Sequence, residues 1–372
     1  MSNRHLRSLA PGTPDPSTPL HAEDLAAVIP PVIDRAPIIV RDRPVSPDDC
    51  HFWQYPCTTE KQAFDNHRAL PGGAHIDAAN RVVHTYLGLP WATYIDKRQF
   101  PREVLAHLRP RLMGFHWLAV ANGYALALHT VCQQIYWRCL TPQFRDLGIT
   151  DLHLSHCERS IDQDRKACGF RIHSWPLIAP NIENPDRTMG LTIGKPTPER
   201  RYLASFIGAH MEHYRSDVRV QLLEATKRDG GSDLLFELGD EWHFNKIVYT
   251  DQVGSRPLQA SDTEQYDART RRYNEVLSDS VFSLCPEGAG PNTLRIWESL
   301  ATGAIPVIIA DDWIPPTVPG SPASLTDCCI FVPSSEIDGI FTLLRGISRQ
   351  RVAELQRRCI QAYPLFRNLT TF

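Results

Sequence analysis

Apolar residues in the C-terminal half come in short bursts separated by glycine and proline, and one stretch shows the pattern most clearly. Val281-Phe282-Ser283-Leu284-Cys285 has the β-branched and aromatic content of a buried strand. Pro286 ends the run, and Glu287-Gly288-Ala289-Gly290 predicts a tight loop whose backbone can approach another group closely. Pro291 suits the first turn of a helix, Asn292 and Thr293 are capping residues, and Gly303 is a natural C-terminal stop. At about 100° per residue, Leu294, Ile296, Trp297, Leu300 and Ala301 share one arc. Asn292, Arg295, Glu298, Ser299 and Thr302 share the other, so the pattern predicts an amphipathic helix resting its apolar side on a sheet. Ile305-Pro306-Val307-Ile308-Ile309 then reads as a central parallel strand covered on both faces. Unpaired N–H groups and the dipole at this helix's N-terminus favour an anion such as a diphosphate. The residues leave a second reading open, with Arg295 and Glu298 as a solvated i,i+3 pair beside an ordinary connection.

The alternation continues on either side. Strands at 202–207, 234–237, 246–249 and 330–332 are expected, with helices from Asp217, over 263–277, from Ile337 and from Ser348. That order predicts a doubly wound parallel sheet with its ligand at the carboxyl ends of the strands. Earlier in the chain, strands are expected at 36–40, 82–86 and 177–178, and helices at 102–108 and 115–132. Between Asn181 and Arg200, prolines, glycines and charges cluster without periodicity, which marks a domain boundary. The expected organisation is a mobile leader over 1–28, a first domain over 29–190, a second over 191–345, and a C-terminal helix over 346–372 packing back on the first.

Length and composition narrow the function classes. A chain of 372 residues exceeds one core and suggests two domains. Its formal net charge of −3 supplies no field for gripping nucleic acid. Ten dispersed cysteines, with Cys328 and Cys329 adjacent and no CxxC pair, read as reduced thiols of a cytosolic protein. The first twenty residues lack the apolar core of a signal peptide, and the apolar stretch 112–140 is broken by His116, Asn122, His129, Gln133 and Gln134, too polar for a spanning helix. The glycine loop has neither a Walker Lys-Ser/Thr ending nor GxGxxG spacing, which disfavours an ATPase or a dehydrogenase. Asp162-Gln163-Asp164 spells DxD within a charged run and reads as a solvated loop, and His153-x-x-His156-Cys157 lacks the distant second pair of a zinc site.

The stretch 281–313 resembles the signature of the exostosin family of glycosyltransferases. The resemblance is carried by Cys285-Pro286, Gly288, Gly290, Thr293, Arg295, Glu298-Ser299-Leu300, Gly303, the 305–309 strand, Asp311 and Trp313. Glu287 stands where a basic residue is frequent in that family, with Thr293 for Ser, Ser299 for Ala and Ala304 for Cys. The segment 201–208, followed by Arg219, is similar to a second family strand. The segment 148–156 resembles a third motif, with Cys157 in place of an Asp, and 87–97 looks like a substrate-domain segment of bacterial relatives.

The resemblance implies an α/β protein of GT-B type, with two Rossmann-like doubly wound domains facing across a cleft. The first domain would take the acceptor and the second the nucleotide-sugar. It implies an inverting transfer from a nucleotide-sugar, UDP-linked in the first instance, to a glycan or glycolipid acceptor. The setting would be surface polysaccharide synthesis, cytoplasmic or peripheral to the inner face of a membrane. Gly208, Arg219, Cys285, Pro286, Glu287, Gly288, Gly290, Asn292, Thr293, Arg295, Glu298, Asp311 and Asp312 would form the donor site. Within it Arg295 and Arg219 would neutralise the diphosphate, Glu298 would meet the ribose, and Asp311 and Asp312 the donor sugar. The base would come from the first domain, His156 first and then His75 and Asp77. A helix dipole with arginines can replace a divalent metal, so no metal and no cofactor is expected. A GDP-sugar enzyme of fucosyltransferase type and a non-catalytic sugar-nucleotide-binding subunit are the alternatives.

Overall fold

The computed structural model describes residues 20, 22–33, 41–44, 46–163, 168–321 and 324–372. The expected strand at 36–40, the leader up to residue 19 and Asp164 of the DxD run lie outside the described residues. Within the expected leader, Ala22–Val28 is a helix whose Leu25 is fully buried.

Parallel strands form two sheets. The first contains β1 (Val32–Ile33), β2 (His75–Asp77), β3 (Val82–Leu87), β4 (Ala125–Cys132), β5 (Asp151–Leu154) and β6 (Arg171–Ser174). Its order is β1-β3-β4-β5-β6, with β2 antiparallel along the amino-terminal half of β3. The second contains β7 (Tyr202–Ala209), β8 (Leu234–Gly239), β9 (Ser280–Pro286), β10 (Ile305–Ile309) and β11 (Ile330–Phe331), in the order β11-β10-β9-β7-β8. After β8 the chain returns to the other side of β7 to lay down β9, so the order reverses between β7 and β9. In a doubly wound sheet that reversal opens a crevice at the carboxyl ends of the two strands. The chain is thus an α/β protein of two parallel-sheet units, as expected from the sequence.

Three expectations are corrected by packing that periodicity does not see. The apolar segment expected as a strand at 246–249 lies inside a helical stretch, Lys246–Val253, because Ile247 and Val248 close a small separate core with Phe244 and Tyr266. The helix expected over 115–132 is divided: one helix, Arg102–Ala121, runs through Pro110, ends at Asn122, and is followed by Gly123 at φ 77°. The rest becomes β4, a central strand buried from Leu126 onward, where β-branched Thr130 and Val131 suit a pleated surface. Leu177 and Ile178 form no strand. Leu177 joins the second unit's core, and the Ile178 N–H donates to Thr59 Oγ1 at 3.1 Å.

The Leu294–Thr302 helix differs more instructively. Thr293 stands at its N-cap without a side-chain bond, and Pro291 precedes the helix. Both arcs are buried, with Glu298 only 4% exposed and Ser299 and Thr302 fully covered. The Arg349–Arg367 helix packs over it, bringing Phe366 to 5.4 Å from Trp297 between ring centroids. The solvated-pair reading of Arg295 and Glu298 therefore fails. Beyond the Arg349–Arg367 helix, Asn66 Nδ2 donates to the carbonyls of Arg367 (2.8 Å) and Leu369 (3.1 Å), and Leu369 is buried in a first-unit core. No helix among the described residues is long and apolar enough to cross a membrane, and all ten cysteines are free.

Parallel register also aligns histidines across the first sheet. His84 Nδ1 lies 2.9 Å from His129 Nε2, and His129 Nδ1 lies 3.1 Å from His153 Nε2. His153 stacks on His173, which meets Asp151 at 2.8 Å, while Phe372 lies against His75, His84 and His129. Burial pushes His129 down to about 3, and His67 to about 4, from 6.5. These rings are neutral when folded and protonate first in the unfolded chain. Their contribution is complete above 6.5 and is lost as pH falls, by about 1.4 kcal/mol per pH unit for each group. Urea unfolding followed from neutral pH down to about pH 4 should show falling stability, with a shallower slope in His129→Gln because one titrating ring is gone.

Candidate functional site

Where β7 and β9 part, two arginines occupy the opening. Arg219, from the Val218–Asp229 helix, donates through Nε to the Glu287 carbonyl at 2.9 Å, through Nη1 to that of Ala209 at 2.5 Å, and through Nη2 to that of Pro286 at 3.3 Å. One guanidinium thus satisfies the last carbonyl of β7 and the last of β9. Arg295 donates from the adjacent helix to the Ile207 carbonyl. Phe206 faces both cations, 5.3 Å from Arg219 and 4.5 Å from Arg295, and Tyr214 lies 4.7 Å from Arg219 and Tyr273 4.9 Å from Arg295. Aromatic faces stabilise such cations by about 0.5–2 kcal/mol each.

Among the described residues neither arginine makes an ion pair, and Arg219 is only 8% exposed. Burial pushes Arg219 down to about 10, and the neighbouring Arg295 charge adds to that effect. Arg219 remains a cation at neutral pH, and backbone carbonyls offset its charge only in part.

The glycine loop closes this opening. A Cβ on Gly288 would fall 2.7 Å from Arg219 Nη2. One on Gly290 would fall 2.7 Å from Ile135 Cγ2 and 2.8 Å from His156 Cε1, and would overlap Nδ1. Glycine is required here by close approach of the first unit. His156 follows β5, and its Nδ1 is buried without a hydrogen-bond partner. Burial pushes its pKa down to about 4, so the ring is neutral.

The remaining sequence-selected residues fall into distinct roles. Gly208 sits on β7 between Phe206 and Arg295. Cys285 is a buried thiol, pushed to about 11 by burial, donating to the Ser283 carbonyl. Asn292 clasps the units: its Nδ2 donates to the Ser155 carbonyl at 2.8 Å, and its Oδ1 accepts from Trp297 Nε1 at 2.9 Å. Glu298 accepts from Tyr273 Oη at 2.6 Å, and burial holds its carboxyl above the usual range. Asp311 caps the loop at Ser334 (3.1 Å to N), whereas Asp312 accepts from Ser160 across the units, 3.2 Å from its Oγ. Glu287 accepts from Ser216 Oγ at 2.7 Å and faces Arg215 at 3.5 Å. Arg215 also pairs with Asp312 at 3.3 Å and with Glu158 of the first unit.

His75 and Asp77 are not brought to this site. Antiparallel pairing sets Asp77 opposite Val82, at the amino end of β3, whereas the loop meets the carboxyl end of the sheet. Asp77 accepts from Asn80 in an exposed turn, and His75 stacks on Phe372. His153 belongs to the histidine row while His156 faces Gly290. Among the described residues no group of three or more His, Cys, Asp or Glu is arranged to hold a metal ion. Sequence reasoning missed Arg215, Tyr214 and Tyr273. The first two lie in an unpatterned loop, but Tyr273 sits on a helix whose buried face was legible.

Two buried cations, a glycine loop and a helix N-terminus at one strand reversal form an arrangement able to receive an anion close to backbone. Comparison with known proteins bears on which one. The Exostosin GT47 domain matches residues 131–338, more than half of the chain. The chain is 28% identical over 168 residues to "Exostosin-1 homolog" of Caenorhabditis elegans, covering 45% of this chain and 41% of that protein. It is 27% identical over 207 residues to "Ribitol-5-phosphate xylosyltransferase 1" of Danio rerio, covering 53% and 42%. The matched stretches thus span less than half of these curated relatives. Among solved structures, the pneumococcal O-GlcNAc transferase GtfA in complex with UDP and GlcNAc overlays with a TM-score of 0.32 at 9% identity, covering 76% of this chain and 53% of that one, too loosely to carry an assignment. The continuous domain match encompasses the β7–β9 opening, both arginines and the glycine loop, and the chain belongs to the exostosin family.

Proposed function

We propose that this chain is a glycosyltransferase that moves a sugar from a nucleotide-sugar, a UDP-sugar in the first instance, to a glycan or glycolipid hydroxyl. The observation that carries this reading is the pair of buried guanidiniums at the strand reversal, which donate to backbone carbonyls and make no ion pair among the described residues. A diphosphate lying over Gly288 and Gly290 would supply the charge they lack, and Arg295 would stabilise it as the glycosidic C–O bond breaks and negative charge accumulates. The transfer is written as inverting: the acceptor oxygen attacks the anomeric carbon, the nucleoside diphosphate departs, and the hydroxyl proton passes to a base. His156 is the base in this reading, a neutral imidazole beside Gly290. No metal and no cofactor is invoked, since the arginines and the helix N-terminus provide the positive charge. The proposed setting is surface polysaccharide synthesis at the cytoplasmic side of a membrane.

Thermal-shift measurement against UDP, GDP, CMP and ADP tests the donor. UDP should raise Tm most, because a ligand that binds only the native state at a hundredfold excess over Kd adds about 2.7 kcal/mol. A shift by GDP alone would reassign the donor, and no shift by any of the four would remove the reading. Arg295→Ala should lower UDP affinity at least tenfold in calorimetry, with circular dichroism confirming a folded chain. Equal affinity would count against the guanidinium's role.

His156→Ala offers a separate check on the base. The imidazole lies on the first unit's side of Gly290, so sugar transfer should slow at least tenfold while UDP still binds. Unchanged turnover would remove His156 from the reaction.

A further inference from the structure

On the first unit's side of the loop lies a second set of groups that the donor site does not use. Asp96 ends the Trp91–Asp96 helix, where the negative pole of the helix opposes a carboxylate. Its Oδ1 accepts from Gln134 Nε2 at 2.6 Å, and its Oδ2 accepts from Gln54 Nε2. Burial pushes the carboxyl up to about 6, against those two amides, so it is mostly ionised at neutral pH. An ionised carboxylate has about four acceptor positions, of which two are used here. A half-shielded acid at a helix C-terminus breaks a local rule, and such breaks gather at functional sites.

Gln134 is followed by Ile135, the residue against Gly290, and then by Tyr136, 58% exposed. Tyr249 is 44% exposed on the second unit's Lys246–Val253 segment, packs beside Trp242 with centroids 6.2 Å apart, and lies within electrostatic reach of both Asp96 and Tyr136. Two large aromatic side chains therefore stand in solvent beside a carboxylate and two amides, with elements of both units taking part. Amide and carboxylate groups bond hydroxyls, and ring faces cover the C–H faces of pyranoses, whereas the carboxylate repels polyanions.

We propose that Asp96, Gln54, Gln134, Tyr136 and Tyr249 form the acceptor subsite, which takes an uncharged oligosaccharide. It rests on the glycosyltransferase reading, since its neighbour across Ile135 is the glycine loop. Asp96 and the glutamines hold acceptor hydroxyls, and the tyrosines set the plane of the sugar ring.

Saturation-transfer NMR of the full chain with UDP tests this, using xylotetraose, mannotetraose, cellotetraose and an oligogalacturonate as probes. At least one neutral tetrasaccharide should bind, and Tyr249→Ala, Tyr136→Ala and Asp96→Asn should each weaken it tenfold or more with UDP affinity unchanged. The two tyrosines are exposed, so their removal leaves the fold in place. Unaltered binding in all three variants overturns the proposal. So does an oligogalacturonate that binds as tightly as the neutral sugars, and so does a wild-type chain that binds UDP but no saccharide. Saccharide binding lost in the variants of a chain that does not bind UDP supports the subsite and removes the donor reading instead.

Discussion

Two guanidinium groups inside the second unit, both against the Phe206 ring, set the terms for the strand reversal. Arg219 joins β7 to the end of β9 through three carbonyls, and Arg295 adds a fourth bond at Ile207. Burying like charges together is unfavourable, and Arg219 responds with a depressed pKa. The offsetting terms are the carbonyl bonds and the faces of Phe206, Tyr214 and Tyr273, which hold each cation in place without cancelling its charge. A nearby carboxylate would stabilise the fold more and leave less attraction for an anionic ligand. Glu298 lies within electrostatic reach of Arg295, yet it accepts from Tyr273 Oη at 2.6 Å.

What could be read from the chain follows from how local each cause is. The β9–loop–helix–β10 unit was legible because its signals lie within about thirty consecutive residues, with period changes at each junction. Burial of Glu298 and Thr302 was not, because it is imposed by segments distant in sequence: Glu298 accepts from Tyr273 Oη at 2.6 Å, and the Thr302 carbonyl accepts from Gly194 N at 3.1 Å and Arg200 Nη2 at 3.2 Å. The second half of 115–132 looked helical because a fully buried strand and a buried helix are both continuously apolar. Asn122 and Gly123 were the available signal for the break. His75 and Asp77 show the limit for chemistry. Residue type suggested a base, but antiparallel β2 carries both to the amino end of the sheet, a fact of topology with no local signature.

Glu287 illustrates the converse, in which a departure from a family pattern is answered elsewhere. It brings a negative charge to a position where the signature the sequence resembles has a basic residue, at the edge of a crevice proposed to hold a diphosphate. Arg215 returns the opposite charge from the loop after β7 and simultaneously pairs with Glu158 and Asp312. These three carboxylates around one cation come from both units, so the substitution at 287 is coupled to how the units meet as well as to the local field.

That meeting is energetically uneven. At the tail, Leu369 and Phe372 are packed against first-unit side chains, and Asn66 binds the chain beyond the Arg349–Arg367 helix. At the loop, the attachments are polar: the Asn292 bond to Ser155, worth about 1 kcal/mol net, and partly exposed ion pairs at Arg215, worth about 0–1 kcal/mol each. Apolar burial of a leucine alone contributes about 1.5–3 kcal/mol. The glycine-loop contacts are therefore the weaker of the two attachments, and the unpartnered His156 Nδ1 lies at that weaker end.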